Sequence, residues 1–365
     1  MRILGKIIDG FSFFINLGVL LIFIFSAFSD HISPLKFISP SFFGIVFPFI
    51  LLVVIAFTIF WMIRFRWFVA VNIFVIIICW EPVTRYIPMH FYKQNVPQES
   101  IKVLTYNTCG MGRYNMQRPE NMNQVLSFIN EQNPDIVCLQ EYTFNNRNKD
   151  FSERYIRSIL KNYPYYHFKS ASLDHTSTGL AIFSKYPITK TKGIDYNSIY
   201  NNSCLYELDI NGKTVTLINN HLESNKLSPE DRKFYKDLVN NFEKNMLEEF
   251  KATLATKLAH AYKIRATQAD KLNGIISNIS TPIIVCGDFN DTPISYCYNR
   301  IRGDLNDAYR DSGFGPGITY HENRFLFRID HILYNNGFKA YNAKVHHVNY
   351  SDHYPVTVYF SLEKN

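Results

Sequence analysis

Several apolar runs of the sequence end in a residue that can bind a metal ion or move a proton. Each run is short and rich in Val, Ile and Leu, as buried strands are, and an acid, an amide or a histidine follows it. The residues concerned are Asn107, Glu141, His221, Asp288, Asn290, Asp330, Asp352 and His353. Six such strand ends, interleaved with helical patterns, predict one shared site.

Carboxylates at the ends of buried strands need a partner, because removing one from water costs several kcal/mol. A hard divalent cation supplies that partner, and oxygen ligands favour magnesium, manganese or calcium over zinc. The six cysteines show no CxxC pair and no regular spacing, so neither a zinc knuckle nor a disulfide framework is indicated. The predicted cofactor is Mg²⁺, with Mn²⁺ as the alternative.

Taken singly, each residue has a simpler explanation. A lone aspartate at a strand end is commonly a helix or turn cap, Asn107 could hold a turn, and His221 could be a satisfied interior histidine. Asp288 and Asn290 could likewise form an Asx turn. The conjunction of six sites in one chain favours the shared site over these separate explanations.

The motifs around these residues resemble, in order, the signature of the endonuclease/exonuclease/phosphatase superfamily. They are Thr105-Tyr106-Asn107, Leu139-Gln140-Glu141, Asn220-His221-Leu222, Gly287-Asp288-Phe289-Asn290, Arg328-Ile329-Asp330 and Ser351-Asp352-His353-Tyr354-Pro355-Val356. That group includes pancreatic-type deoxyribonucleases, inositol polyphosphate 5-phosphatases and neutral sphingomyelinases. The resemblance implies an α/β fold, a DNase-like four-layer α/β sandwich of two mixed β-sheets flanked by helices, with the site at one end of the sheets.

The resemblance also implies the metal and water chemistry. Glu141 would be the principal magnesium ligand, and Asn107 and Asp352 would complete or orient the water shell of the metal. Asp288 would act as general base on the attacking water, which Asn290 would position. The implied reaction is a metal-assisted in-line displacement at phosphorus.

Histidines would handle the phosphate in the same scheme. His353 would bind the scissile phosphate and help to neutralise the developing charge, with Asp330 holding its imidazole. His221 stands where deoxyribonucleases and sphingomyelinases have histidine, whereas abasic-site endonucleases have tyrosine. This difference argues against abasic-site repair.

The elements that must position these residues can be read from the same part of the chain. Apolar runs predict strands over residues 101–106, 136–139, 180–183, 214–218, 283–286, 329–333 and 356–360, and helical patterns cover 118–132, 153–162 and a tract within 228–277. Residues 226–260 form an insertion that could cover the site or lie against a membrane. Relatives often carry an arginine and a glutamine similar to Arg265 and Gln268, and Arg265 either reaches the edge of the site or packs. For Glu223 and Asn225 a turn is favoured over substrate contact.

The first part of the chain has a different composition. Apolar stretches cover about residues 11–29 and 42–63, and two in succession favour membrane spans over a secretory leader. A third stretch, 67–83, is centred on an apolar run of about 14 residues that covers about 21 Å of an apolar layer of about 30 Å. We therefore expect a bundle of two or three transmembrane helices in residues 1–98 and an enzyme domain in 99–365.

Sidedness depends on the third stretch. Arg2, Lys6, Arg64 and Arg66 should lie on the cytoplasmic side, whether the helices number two or three. Three spans place the enzyme domain outside the cytoplasm and two place it inside. A Trp-flanked apolar run favours three, which predicts an integral protein of the cell (inner) membrane with its catalytic domain on the non-cytoplasmic side.

The net charge of the chain does not identify the substrate. The formal net charge of +7 comes without a long basic run, which is weak evidence for a nucleic-acid partner. The sequence predicts a membrane-anchored, magnesium-dependent phosphoesterase that hydrolyses a phosphodiester. The substrate could be a phospholipid headgroup, a nucleic acid or a soluble phosphoester. Its partners would be that substrate and the lipid bilayer, with no stable protein partner. The alternative is a catalytically silent, membrane-bound binding or signalling module of the same fold.

Overall fold

The computed structural model describes residues 2–363 apart from 92, 113–120, 172–177, 197, 199, 227, 229, 232–253, 323–325 and 336. The helices are α1 (Arg2–Ala27), α2 (Ser39–Ile63), α3 (Phe68–Ile78), α4 (Trp80–Tyr86), α5 (Asn121–Gln132), α6 (Glu153–Ile159), α7 (Thr256–Ile276), α8 (Tyr296–Arg302) and α9 (Ala308–Ser312). Single helical turns cover Ser29–His31, Cys109–Gly112 and Lys149–Phe151.

The strands belong to two sheets. They are β1 (Ile101–Asn107), β2 (Ile136–Thr143), β3 (Tyr165–Ser170), β4 (Thr178–Ser184), β5 (Ile188–Asp195), β6 (Asn202–Ile210), β7 (Lys213–His221), β8 (Ile283–Asp288), β9 (Asn306–Asp307), β10 (Asp330–Tyr334), β11 (Phe338–Val345) and β12 (Val356–Leu362). The first sheet has the order β11-β12-β1-β2-β4-β3, and the second has the order β5-β6-β7-β8-β10-β9. Each is mixed, because β1 and β2 run parallel, as do β7 and β8, while the other neighbours are antiparallel.

Apolar side chains form three cores, which lie between the layers of the fold. The inner faces of the two sheets meet around residues such as Val103, Tyr206 and Val358. The outer face of the first sheet is covered by α5, which buries Val125 and Ile129 at helical spacing. The outer face of the second sheet is covered by α7 and α8. This arrangement confirms the predicted four-layer α/β sandwich.

The seven predicted strands all occur, whereas β3, β5, β6, β9 and β11 were not predicted. Four of these five are the edge strands of the two sheets. An edge strand has solvent on one side and needs no continuous apolar run, and β5 has five consecutive exposed residues. The interior strand β6 was not predicted because its apolar residues are separated by polar ones.

One predicted helix is shorter in the structure than its pattern. The 153–162 pattern gives α6, which ends where Leu160 leaves helical geometry, and Ser152 caps its start by accepting a hydrogen bond from the Tyr155 amide. In the 228–277 tract the described helix is α7. Residues 118–120 and most of the 226–260 insertion lie outside the described residues.

Two N-terminal helices are long and apolar enough to cross a membrane, over Lys6–His31 and Ser39–Ile63. The third predicted stretch forms α3 and α4, which meet at a bend of 69°. At one end of the bundle Asp9 pairs with Arg64, at 2.6 Å, and with Arg66. At the other end Asp30 pairs with Arg85, at 2.7 Å, where the bundle meets the sandwich.

Candidate active site

The predicted site residues meet at one end of the sandwich. Asn107, His221 and Asp288 are the last residues of β1, β7 and β8, so the two parallel pairs bring their carboxyl ends to the same edge. Asp330 opens β10 and lies opposite Asp288 in the antiparallel register. Asn107 joins the two sheets there, because its Nδ2 donates to Asp288 Oδ2 at 2.9 Å.

Local backbone irregularities aim two of these groups. The register of β2 and β4 shifts between Leu139 and Tyr142, and Glu141 in this bulge has a φ of 48°. A bulge redirects a side chain relative to its strand, and here Glu141 is turned toward the site. Gly287 has a φ of 126°, and a Cβ at this position would collide with the Asn220 backbone, so β7 and β8 approach closely just before Asp288.

Asp330, His353 and Asp288 form a buried row. His353 Nδ1 lies 2.8 Å from Asp330 Oδ2, and its Nε2 lies 3.8 Å from Asp288 Oδ2. The three residues are 1–4% exposed. The carboxylate on one ring nitrogen fixes the imidazole and leaves the other nitrogen facing Asp288.

Asp288 is held as an acceptor by three donors. Besides Asn107, the backbone amide of Asn290 donates to Asp288 Oδ1 at 2.7 Å, and the side-chain Nδ2 of Asn290 donates to Asp288 Oδ2 at 3.1 Å. Burial nevertheless raises the pKa of Asp288 to about 6, with Asp330 adding to the rise. A carboxylate with such a pKa is suited to accept a proton near neutral pH.

The pKa values of the two histidines in the site are shifted in opposite directions. Burial lowers the pKa of His221, whose Nε2 lies 3.5 Å from Glu141 Oε1 and 3.9 Å from Asp288 Oδ2. Burial would also lower the pKa of His353, but the carboxylates of Asp330 and Asp288 outweigh it and raise that pKa well above its ordinary value. The site thus combines a cationic imidazole with a second one that burial keeps neutral.

Glu141 and Asp352 make a place that suits a divalent cation. Burial and the like charge of Asp352 raise the pKa of Glu141. Within the described residues neither carboxylate pairs with a lysine or arginine; His221 approaches Glu141, and Asn107 Nδ2 lies 3.3 Å from its Oε1. An oxygen-rich site with repelling carboxylates fits Mg²⁺ or Mn²⁺.

A second group with metal-binding residue types consists of Asp288, Asp330 and His353, whose ligand atoms lie within 4.8 Å of one another. The contact between His353 and Asp330 has hydrogen-bond length, 2.8 Å. Because His353 is used by this contact, the carboxylates of Glu141 and Asp352 fit a hard cation better.

Arg265 and Gln268 support the loops that follow β7. Arg265 is 1% exposed; its Nε donates to Asp291 at 3.0 Å, and its guanidinium also donates to the Glu223 carbonyl at 2.7 Å and to Asn225 at 2.9 Å. Gln268 accepts from the Glu223 amide at 2.9 Å. Arg265 therefore packs and ties the loops after β7 and β8 together through its contacts with Glu223, Asn225 and Asp291.

An open cavity of about 530 Å³ lies beside this loop. Its lining includes Tyr196, Tyr200, Glu223, Lys226, Gln268 and Lys271. Among the described residues, Gln268 Nε2 is buried and has no hydrogen-bond partner. Charged, amide and aromatic groups suit a hydroxylated or charged part of a ligand better than an alkyl chain.

Sequence reasoning missed several residues that support the site. Thr319 Oγ1 accepts from the amides of Ile329 and Asp330, at 3.0 and 3.1 Å, and the Tyr320 ring lies 5.1 Å from that of His353. Ser351 Oγ donates to the Asn107 carbonyl at 2.8 Å. Ser351 stands inside a quoted motif and could have been found, whereas the loop of Thr319 and Tyr320 carries no local signal.

Comparison with known proteins extends these observations. A model of the Endonuclease/Exonuclease/phosphatase family matches residues 104–353, well over half of the chain, and a domain of unknown function matches residues 6–86. None of the curated proteins matches the chain.

Solved structures of similar fold include the following two. The catalytic domain of human Nocturnin, with a bound sulfate anion, is 18% identical, with a TM-score of 0.51, over 76% of this chain and 100% of that one. Humanized TDP2 of D. rerio is 14% identical, with a TM-score of 0.50, over 72% of this chain and 100% of that one. At these identities the likeness shows the fold alone. Because the family model spans all the motifs from β1 to His353, the chain belongs to the endonuclease/exonuclease/phosphatase family.

Proposed function

We propose that this protein is a membrane-anchored, magnesium-dependent phosphoesterase that hydrolyses a phosphodiester by attack of water on phosphorus. The row of Asp330, His353 and Asp288 carries the proposal. A buried imidazole that two carboxylates keep cationic, next to a base with a pKa of about 6, is suited to a phosphate and an attacking water.

The residues take the following roles. Asp288 accepts the proton of the attacking water, and Asn290, which donates to Asp288 twice, positions the water. His353 binds the scissile phosphate as a cation, and Asp330 holds its ring. His221 binds the phosphate from the side of Glu141. These groups stabilise charge where it develops on the phosphoryl oxygens.

The residues that would hold the metal are grouped around Glu141, and Asn107 contacts both Glu141 and Asp288. Glu141 is the principal ligand, and Asn107 and Asp352 complete or orient the water shell. Bound Mg²⁺, or Mn²⁺ in its place, supplies a Lewis acid for a phosphoryl oxygen. Asn107 couples this ligand set to the base through its hydrogen bond to Asp288.

We also propose three membrane crossings with the enzyme domain on the non-cytoplasmic side. Asp9 and Asp30 stand at opposite ends of the bundle. The chain takes 21 residue steps from one to the other, and at a helical rise of about 1.5 Å per step these cover about 31 Å, close to the thickness of the hydrocarbon core. Asp9 pairs with Arg64 and Asp30 pairs with Arg85, so α3 and α4 return the chain across the same distance. Arg64 and Arg66 then lie on the cytoplasmic side.

Hydrolysis of bis-p-nitrophenyl phosphate by the full chain in detergent tests the activity. We expect turnover that requires Mg²⁺, stops with EDTA and falls by about two to four orders of magnitude in Asp288→Ala and His353→Ala without unfolding. Asp209→Asn, in the β6–β7 hairpin at the far end of the sheets, is the matched control. Well-folded protein without any turnover would instead favour the silent binding module.

Protease protection on intact cells tests the sidedness. We expect the domain of residues 99–365 to be cleaved once protease reaches the non-cytoplasmic face. A domain that resists until the membrane is opened from the cytoplasmic side would contradict the three-crossing arrangement.

A further inference from the structure

The segment that leaves the membrane bundle pairs directly with a loop of the enzyme domain. Beyond α4, the Gly315 amide donates to the Pro88 carbonyl at 2.8 Å, and the His90 amide donates to the Gly313 carbonyl at 3.2 Å. Met89 and Phe314 form a β-bridge between them. The enzyme domain is therefore attached to the bundle by backbone hydrogen bonds as well as by the chain itself.

The same loop leads to the catalytic histidine. Five residues separate Phe314 from Tyr320, so Phe314 lies within about 20 Å of Tyr320 along the chain, and the Tyr320 ring lies 5.1 Å from that of His353. The Tyr354 amide donates to the Thr319 carbonyl at 2.7 Å, which fixes the end of the loop beside the site.

Other segments that border the site also pack on the bundle. Ile294, four residues after Asn290, lies in the apolar core of α1 and α2, and a Cβ at Gly44 would collide with its carbonyl oxygen. Tyr262 of α7 packs on Phe42 with ring centroids 5.8 Å apart. The end of the sandwich that holds the site is thus the end that faces the bundle.

Three exposed apolar side chains lie at this junction: Met89, Phe91 and Phe314, which we call the apolar cap. They are 45%, 70% and 57% exposed, and the rings of Phe91 and Phe314 lie 5.0 Å apart. Leu35 and Phe37 of the α1–α2 connection are also exposed, by 52% and 57%. Exposed apolar side chains continuous with membrane helices gain free energy by entering the bilayer surface.

We propose that the apolar cap rests on the bilayer surface and that the site hydrolyses the headgroup phosphodiester of a phospholipid in that bilayer, an inference that rests on the proposed function. Water adds to phosphorus, one P–O ester bond breaks, and the released oxygen takes up a proton. The cavity whose lining includes Glu223 and Gln268 adjoins the loop after β7. Its charged and amide groups are suited to the headgroup, while the acyl chains stay in the bilayer.

The test uses the full chain in vesicles of phosphatidylcholine, phosphatidylethanolamine, phosphatidylglycerol and sphingomyelin. Loss of each lipid is measured by mass spectrometry with Mg²⁺ or EDTA, and bis-p-nitrophenyl phosphate hydrolysis is measured in the same vesicles. The double variant Phe91→Ser/Phe314→Ser removes the rings of the cap. Tyr165→Ser removes a 38%-exposed ring at the end of the first sheet that lies away from the site, as the matched control.

We expect Mg²⁺-dependent loss of at least one lipid, which falls by about tenfold in the double variant but not in the control, because two apolar contacts with the bilayer are removed. Hydrolysis of the soluble diester should stay within about twofold, since the cap does not contact the reacting atoms. If the double variant melts early, Phe91→Ser alone takes its place in the comparison.

Two results would overturn the lipid proposal. One is hydrolysis of the soluble diester and of plasmid DNA with every lipid intact. The other is an equal fall of lipid and soluble-diester hydrolysis in a folded cap variant. A protein that hydrolyses no phosphoester in Mg²⁺ would instead refute the proposed function.

Discussion

Replacing Asp330 by asparagine should disable His353 while leaving its surroundings in place. The asparagine side chain has nearly the same volume and can still accept a hydrogen bond through its amide oxygen, but it carries no charge. Asp330 and Asp288 are the carboxylates that raise the pKa of His353 most, and Asp352 adds to the rise. With one of them replaced by a neutral amide, burial pulls the pKa of His353 down, and the imidazole loses its proton at a lower pH.

The size of the effect follows from the contact. His353 Nδ1 lies 2.8 Å from Asp330 Oδ2, and unit charges about 4 Å apart attract by about 4 kcal/mol at an effective dielectric constant of about 20. Desolvation offsets part of this attraction, so a charge-assisted hydrogen bond is worth about 1.5–3 kcal/mol net. If the transition state loses that amount, kcat falls by about 10- to 150-fold.

The assay is Mg²⁺-dependent hydrolysis of bis-p-nitrophenyl phosphate from about pH 5 to 10. In the proposed mechanism His353 binds phosphate when protonated, so a raised pKa extends activity upward in pH, and Asp330→Asn should move the alkaline limb to lower pH. Melting curves of each variant are needed, since breaking a buried ion pair costs about 3–5 kcal/mol of stability.

A double-mutant cycle separates this role from a structural one. If Asp330 acts through His353, then Asp330→Asn adds little to the loss already caused by His353→Gln. The reasoning is refuted if folded Asp330→Asn keeps its kcat and its alkaline limb, or if the two losses multiply in the double variant.

Three further predictions concern the metal, the stability of the fold and its pH dependence. Asn107→Ala should raise the Mg²⁺ concentration for half-maximal activity by about 10- to 100-fold, because the side chain orients Glu141 and Asp288; a Mg²⁺ titration checks this. Gly287→Ala should destabilise the fold by about 1–3 kcal/mol, visible in urea unfolding, because φ is 126° and the new methyl meets the Asn220 backbone. Burial lowers the pKa of His331 to about 4, so between about pH 6.5 and 4 the unfolded chain binds a proton that the folded protein does not. The free energy of unfolding should therefore fall by up to about 3 kcal/mol as the pH is lowered through that window. The fall should be smaller in His331→Gln, and thermal melts at about pH 4.5 and 7 measure it.

The sequence by itself determined the buried strands and the chemical groups at their ends. Asn107, His221 and Asp288 each follow an apolar run, and local patterning is enough to place such residues at the end of a strand. Four of the five strands that were not predicted are edge strands, where one side of the strand faces solvent and the apolar signal is weak.

Only the tertiary structure decided which groups meet. Asp288 and Asp330 lie 42 residues apart and become neighbours through the β8–β10 register, while Asn107 reaches Asp288 across two sheets. The support of His353 by the loop of Tyr320, and the contact of Asp30 with Arg85, likewise join distant segments. Such contacts depend on strand order, register and the packing of layers, which no local window of sequence encodes.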